Sequence, residues 1–255
     1  VIVLKSPREI EEMRRVNAIV AEILEVIRGK VRPGVSTGEL DAVAEEEIRR
    51  RGVSAAFLGV KNPEGKPYPA CLCTSVNDEI VHGVPSRTRT LREGDLLSVD
   101  FGVYNNSFYG DAAFSVAVGR GQERVHRLIA VAEEALAAGI AQAQPGNRLG
   151  DLSAAVQEVV ERAGYHVVRE FVGHGIGRAL HEEPQVPNHG RRGVGVQLRA
   201  GMVLAIEPMI NDGGPGVTVD ADGWTARTRD GSLAAHAEHS VAITDKGPLI
   251  LSTPD

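Results

Sequence analysis

Apolar residues recur at helical spacing near the start of the chain. Ile10, Met13, Val16, Val20, Ile23, Leu24 and Ile27 form one stripe, which predicts an amphipathic helix with a buried face. Ser6-Pro7-Arg8-Glu9 ahead of it has the form of a capping box with proline at the first helical position, and Gly29 with Pro33-Gly34 closes it. A second helix opens at Ser36 with Glu39 three residues on, turns Leu40, Val43, Ala44 and Ile48 inward, and ends near Gly52. A third stripe, Val125, Leu128, Ile129, Ala132, Leu136 and Ile140, runs up to Pro145. The runs 96–103, 108–118, 201–210 and 240–243 are apolar, with glycine and asparagine punctuation, and predict strands. Together these elements predict an α+β fold with helices on one side of antiparallel strands.

The punctuation repeats. Pro33-Gly34, Gly38, Leu40 and Gly52 have counterparts in Pro145-Gly146, Gly150, Leu152 and Gly164, each displaced by 112 positions. A glycine or proline after a helix is common by itself, but so many agreeing spacings point to internal duplication. The expectation is a single domain, 1–255, made of two similar halves, roughly 1–120 and 121–255, whose sheets meet at a cleft.

Composition narrows the function. A chain of 255 residues, 42% hydrophobic and 24% charged, can bury a core without disulfides. Net charge is −6 and the pI is near 5.8, with both signs interspersed, so no footprint for nucleic acid or an anionic membrane is present. No stretch approaches the roughly 18 apolar residues of a membrane span, and Val1-Ile2-Val3-Leu4-Lys5-Ser6-Pro7 lacks a signal-peptide layout. A cytoplasmic protein is expected. The two cysteines, Cys71 and Cys73, are one residue apart, so on an extended segment they point the same way and are poorly placed to bridge each other. Two sulfurs also do not complete a zinc tetrahedron.

The candidate chemistry lies in the strands. Asn105-Asn106 is a plausible hairpin turn, and such a turn would set Asp100 directly opposite Asp111 on one face. Two carboxylates so close repel unless solvent or a cation intervenes. Ser98, Asp100 and Gly102 share that face inside an otherwise apolar strand, which suggests a cleft rather than a solvated surface. His174 lies in Gly173-His174-Gly175-Ile176-Gly177, where the glycines let backbone approach a ligand. Glu207, inside Met202-Val203-Leu204-Ala205-Ile206-Glu207-Pro208, and Glu238, ahead of His239-Ser240-Val241, would be costly to bury unpaired. Four acids and one histidine make an oxygen-rich ligand set, and four carboxylates balance two divalent ions.

The order Asp100, Asp111, His174, Glu207, Glu238 resembles the five-ligand signature of the methionine aminopeptidase family, of the short type I, which has the duplicated pita-bread fold. The likeness spans nearly the whole chain. It includes Tyr68-Pro69-Ala70 through Ile80-Val81-His82-Gly83-Val84-Pro85, Val99-Asp100-Phe101-Gly102, Gly110-Asp111, the His174 glycine run, Ile206-Glu207-Pro208 and Ala237-Glu238-His239-Ser240. The resemblance implies two divalent metal ions, with Asp100 and Glu238 on one, His174 and Glu207 on the other, and Asp111 and Glu238 bridging both. Carboxylate and imidazole ligands accept manganese, iron, cobalt or zinc alike. A dinuclear site of this kind supplies amide hydrolysis with a bridging water as nucleophile, and no serine or cysteine nucleophile is needed.

Further roles come with the resemblance. Glu207 shuttles a proton from that water, His181 binds the substrate carbonyl and stabilises the oxyanion, and His82 contacts the scissile nitrogen. Tyr68, Cys73 and Trp224 stand at positions of the methionine pocket, where an apolar surface with aromatic contact suits the thioether. Leu180, before His181, replaces the phenylalanine of familiar bacterial members, and the loop 60–67 is longer than theirs. The implied substrate is the N-terminal methionine of nascent polypeptides after deformylation, with a small second residue. A monomer in transient contact with the ribosome is expected. Two other readings stand beside this one: a proline-directed peptidase of the same fold, a type that usually carries an additional N-terminal domain, and an inactive pita-bread protein that binds peptides, RNA or proteins.

Overall fold

The computed structural model describes residues 1–254, and its first two helices begin where the capping signals stand. α1 (Pro7–Arg28) and α2 (Thr37–Arg51) both open on reciprocal capping boxes, Ser6 with Glu9 and Ser36 with Glu39, which pair amides that a helix start otherwise leaves open. They lead into β1 (Ser54–Ala55), β2 (Leu72–Val76), β3 (Glu79–Val81) and a long hairpin, β4 (Leu96–Asn105) with β5 (Phe108–Ala117). α3 (Glu123–Gln142) and α4 (Leu149–Arg162) then lead into β6 (His166–Val167), β7 (Gly173–Gly175), β8 (Glu182–Val186), β9 (Val203–Ile206) and β10 (Met209–Asn211). The remaining strands are β11 (Val217–Val219), β12 (Ala226–Thr228), β13 (Ala234–His236), β14 (Glu238–Thr244) and β15 (Gly247–Ile250).

The repeat is visible in hydrogen bonds as well as in spacing. Gly34 and Gly146 both take left-handed backbone, at φ 90° and 93°, which glycine adopts at no steric cost. Gly34 N donates to Leu91 O and Gly146 N to Leu198 O, each at 2.9 Å. Leu40 and Leu152 are both fully buried under these corners. Two apolar cores result. One lies under α1 and α2 against the hairpin, with Met13, Leu40 and Phe101 at its centre, and the other under α3 and α4, around Leu128, Leu152 and Leu204.

All strand pairs are antiparallel among the described residues. Nine strands form one sheet in the order β1-β4-β5-β14-β9-β7-β8, with β2 added on β4 and β15 on β14. Two small sheets, β13-β10-β6 and β11-β12-β3, complete the set. The run 201–210 is therefore not one strand. Glu207-Pro208 breaks it, because proline has no amide for the ladder, and the chain passes from the large sheet to a small one. Ala237 marks the matching break between β13 and β14, with its amide donating to Pro208 O at 3.2 Å. Glu207 and Glu238 thus stand at the seam between two sheets.

The hairpin register also differs from the one expected. The turn is Asn106-Ser107, at φ 48° and 81°, so Asp100 pairs with Ala113 and Asp111 with Gly102. The two acids are diagonal neighbours on one face, not direct partners. This register aligns Ser98 with Ser115, whose hydroxyls lie 2.7 Å apart, and Tyr104 with Tyr109, whose ring centres are 4.8 Å apart; cross-strand pairs of this sort select register. Cys71, just ahead of β2, packs in the first core, whereas Cys73 joins a small cluster with Tyr68 and Ala70, so the two thiols do not share surroundings. Among the described residues no helix is long and apolar enough to cross a membrane.

Candidate metal centre

β4, β5 and β14 lie side by side, and their registers put Asp100 and Glu238 on either side of Ala113. Asp111 stands two residues along β5 from Ala113, on the same face. Its amide receives help from behind, where the buried Asn17 of α1 accepts from Asp111 N at 3.2 Å. β9 then brings Glu207 to the seam opposite Glu238, and β7 brings His174 into register with Ala205 of β9. Gly173 and Gly175 allow this last approach, since a Cβ at either would meet a neighbouring carbonyl oxygen at 2.3 Å. These glycines make room for adjacent strands rather than for a ligand, which corrects the expectation drawn from the sequence.

His174 Nδ1 lies 2.9 Å from Gly175 O. That bond puts the ring proton on Nδ1 and leaves the Nε2 lone pair facing Glu207 at 3.5 Å and Asp111 at 3.9 Å. A lone pair facing carboxylates is repulsive unless a cation lies between them. Asp111, His174 and Glu238 each offer one ligand atom, all within 4.8 Å of one another. Asp111 and Glu238 are only 4% and 2% exposed, yet Asp100 Oδ1, Asp111 Oδ1 and Glu238 Oε1 have no hydrogen-bond partner. Such groups are rare in a folded interior without an ion or water. The donor set therefore fits divalent metal.

Electrostatics agree with the geometry. Burial raises Asp100 to about 7. Burial, and then the neighbouring acids, push Asp111, Glu207 and Glu238 well above the usual carboxylate range. Burial lowers His174 and His82 to about 4, so both imidazoles are neutral at neutral pH. A neutral imidazole is the ligand form.

All eleven side chains singled out in the sequence line one cleft of about 760 Å³. The four acids and the histidine ligand candidate form its floor together with the exposed His181, whose ring meets His174 edge-on with centres 4.5 Å apart. Tyr68, Cys73 and Trp224 cluster at an apolar end, and Leu180, which packs into the first core, also lines the cleft. Tyr68 and Trp224 meet edge to face at 5.1 Å, and the Tyr68 hydroxyl is within 3.1 Å of Leu72 O and 3.0 Å of Gly83 O, so this polar tip faces backbone and the ring faces the pocket. His82 stands between these regions, edge-on to Phe171 at 5.3 Å and to Trp224 at 6.2 Å. Its φ of 59° is a left-handed backbone that costs a non-glycine residue about 1–2 kcal/mol, a strain of the kind that collects at functional sites.

Three residues of this region escaped the sequence reading. His236 is buried with its Nε2 3.8 Å from Glu207 Oε2; its spacing of two from Glu238 was the available signal. Asn188 donates from Nδ2 to the Glu207 carbonyl at 3.0 Å, and Phe171 flanks His82. Neither carries a local sequence cue, because both arrive from loops. The loop 60–67 reaches the cleft rim, where Asn62 Nδ2 donates to Gly223 O at 2.9 Å beside Trp224.

A family model described as metallopeptidase family M24 matches residues 11–245. The methionine aminopeptidase of Aquifex aeolicus is 46% identical over 256 residues, covering 98% of each chain, and that of Clostridium perfringens is 48% identical over 251 residues, again covering 98% of each. The crystal structure of methionine aminopeptidase from Thermotoga maritima superimposes with a TM-score of 0.95 at 44% identity, covering 99% of this chain and 100% of that one. The prolidase of Pyrococcus horikoshii shares the fold alone, with a TM-score of 0.76 at 22% identity over 64% of its length. The pita-bread architecture is common to these molecules and to the present chain.

Proposed function

Since this chain belongs to metallopeptidase family M24, we propose that it is a metal-dependent aminopeptidase that removes the initiator methionine from nascent proteins and prefers a small second residue. The observation that carries this reading is the convergence of four carboxylates, three of them with a buried, unpartnered oxygen, and the Nε2 of His174 on the floor of a cleft with an apolar end. Asp100, Asp111, His174, Glu207 and Glu238 would hold two divalent ions, of manganese, iron, cobalt or zinc, since four carboxylates balance two such charges. When bound, such a pair polarises the scissile carbonyl and acidifies water.

The protein groups supply the rest. Glu207, at the seam and backed by Asn188, accepts the proton of the attacking water. His181, exposed to the cleft, donates to the carbonyl oxygen as negative charge develops there. His82 contacts the scissile nitrogen, and its ring is braced by Phe171 and Trp224. Tyr68, Cys73, Leu180 and Trp224 receive the methionine side chain, and Leu180 fills volume that a flat ring would otherwise take. The free amine sits toward Asp100, so a formyl group excludes the substrate and the enzyme acts after deformylation. The chain works as a single catalytic domain, a monomer in the cytoplasm, in transient contact with the ribosome.

Turnover should be measured on Met-Ala-Ser, Met-Leu-Ser, Leu-Ala-Ser and formyl-Met-Ala-Ser, with metal-free protein titrated with each metal. Met-Ala-Ser should be cleaved far faster than the other three. Comparable cleavage of Leu-Ala-Ser would reduce the protein to a general aminopeptidase, and faster cleavage of an X-Pro dipeptide would favour the proline-directed alternative.

A further inference from the structure

The turn that carries Leu180 and His181 is gripped by an ion pair whose cation is buried and whose acid, Glu182, reaches the cleft wall. Lys5 is the cation: its side chain is 4% exposed, its Nζ is bonded to Glu182 Oε2, and it lies 3.2 Å from Val3 O. Interior ammonium groups persist only with such partners, because an unpaired buried charge is costly. Glu182 turns its other oxygen onto the turn itself. Its Oε1 accepts from the amides of Arg178 at 2.7 Å and Ala179 at 3.2 Å. Gly177 packs directly on the pair, since a Cβ there would meet Lys5 Cε at 2.5 Å and Glu182 Oε1 at 2.6 Å.

Lys5 is also anchored along its backbone, where its amide donates to Gly201 O at 2.7 Å, close to the start of β9. An exposed second tie joins Arg178 to Glu9 of α1 at 3.0 Å, but exposed pairs contribute little. Tyr109 N also donates to Gly177 O at 2.8 Å, but the amides of residues 178 and 179 are held by Glu182, itself paired with Lys5, and the two cleft residues follow immediately. Among the described residues the His181 ring has no hydrogen bond of its own; its only ring contact is the edge-on approach to His174. Its placement depends on the backbone it rides on.

We propose that Lys5 is a positioning residue for His181, acting through Glu182 to fix the turn that presents His181 to the substrate carbonyl. The inference rests on the reading of His181 as the oxyanion donor. Misplacing a group at a reacting centre by about 1 Å can cost on the order of 10²-fold in rate. Breaking the pair should therefore act on kcat through His181 and leave the metal ligands alone.

The test is a double-mutant cycle with metal-loaded protein and Met-Ala-Ser as substrate, using Lys5→Met, His181→Ala and both together. Lys5→Met should lower kcat on the order of 10–100-fold, with bound metal unchanged by elemental analysis. In the His181→Ala background the same change should cost less than about twofold, because residues acting as a unit are not additive. Glu182→Gln, which keeps the size and one acceptor oxygen, takes the place of Lys5→Met if that variant melts below the assay temperature. A wild-type kcat for the pair variants, or an undiminished loss in the His181→Ala background, overturns the inference while leaving the catalytic reading intact. A wild-type kcat for His181→Ala itself overturns that reading, and the inference with it.

Discussion

Asp111 illustrates the constraint on single residues in this cleft: it is buried, one oxygen is unpartnered, and its neighbours include Asp100, Glu207 and the lone pair of His174. Asp100→Ala and Asp111→Ala should each reduce bound metal per chain and abolish turnover, as elemental analysis and the Met-Ala-Ser assay would show; full metal content in both would remove them from the ligand set. His181→Ala should behave differently, losing on the order of 10²–10³-fold in kcat, the usual cost of one oxyanion donor, while its metal stays bound. The thiols provide a check on burial. Burial pushes Cys71 up to about 11 and Cys73 upward as well, so neither is a thiolate at neutral pH, and thiolate is the reactive form. Native protein at pH 7.5 should resist iodoacetamide at both positions, and mass spectrometry should find both alkylated once the chain is unfolded.

Among the elements, the β4–β5 hairpin shows where local signals stop short. Asparagine favours positive φ, and the run Asn105-Asn106-Ser107 permits two adjacent turns; cross-strand partners chose the later one. Ser107 consequently holds φ 81°, a conformation that glycine adopts without strain. Ser107→Gly should stabilise the protein by about 0.5–1 kcal/mol in urea unfolding and leave turnover unchanged. An unchanged or lower midpoint would argue against this turn. The helix caps make the opposite prediction. Ser36 and Glu39 satisfy each other's amides, so Ser36→Ala should cost about 1 kcal/mol.

At the scale of the whole molecule, two cores meet at a sheet seam that collects acids from both halves. With metal absent, these carboxylates are buried near one another and raise each other's pKa values. Ligand that binds only the folded state stabilises it by mass action, by about 2.7 kcal/mol at a hundredfold excess over Kd. Chelation should lower Tm, and re-addition of divalent metal should restore it in a concentration-dependent way. A melting curve indifferent to verified metal removal would contradict a buried site.

What the sequence by itself determined was local or carried by spacing. Capping boxes and apolar stripes defined the helices, because the atoms that satisfy a helix start lie within three residues of it. The 112-residue displacement revealed the repeat, and the ordered acids and His174 named the candidate floor of the cleft. Tertiary structure decided everything that depends on partners far along the chain. The hairpin register needed the Ser98–Ser115 and Tyr104–Tyr109 pairs, and the break at Glu207-Pro208 became a seam only when β13 and β14 broke beside it. The proximity of His236, Asn188 and Lys5 to the cleft residues came from packing between segments far apart in the chain. A strand pattern records which face is buried, with a period of two residues, but not which neighbour it meets there, and a shift of register by two residues leaves the pattern unchanged.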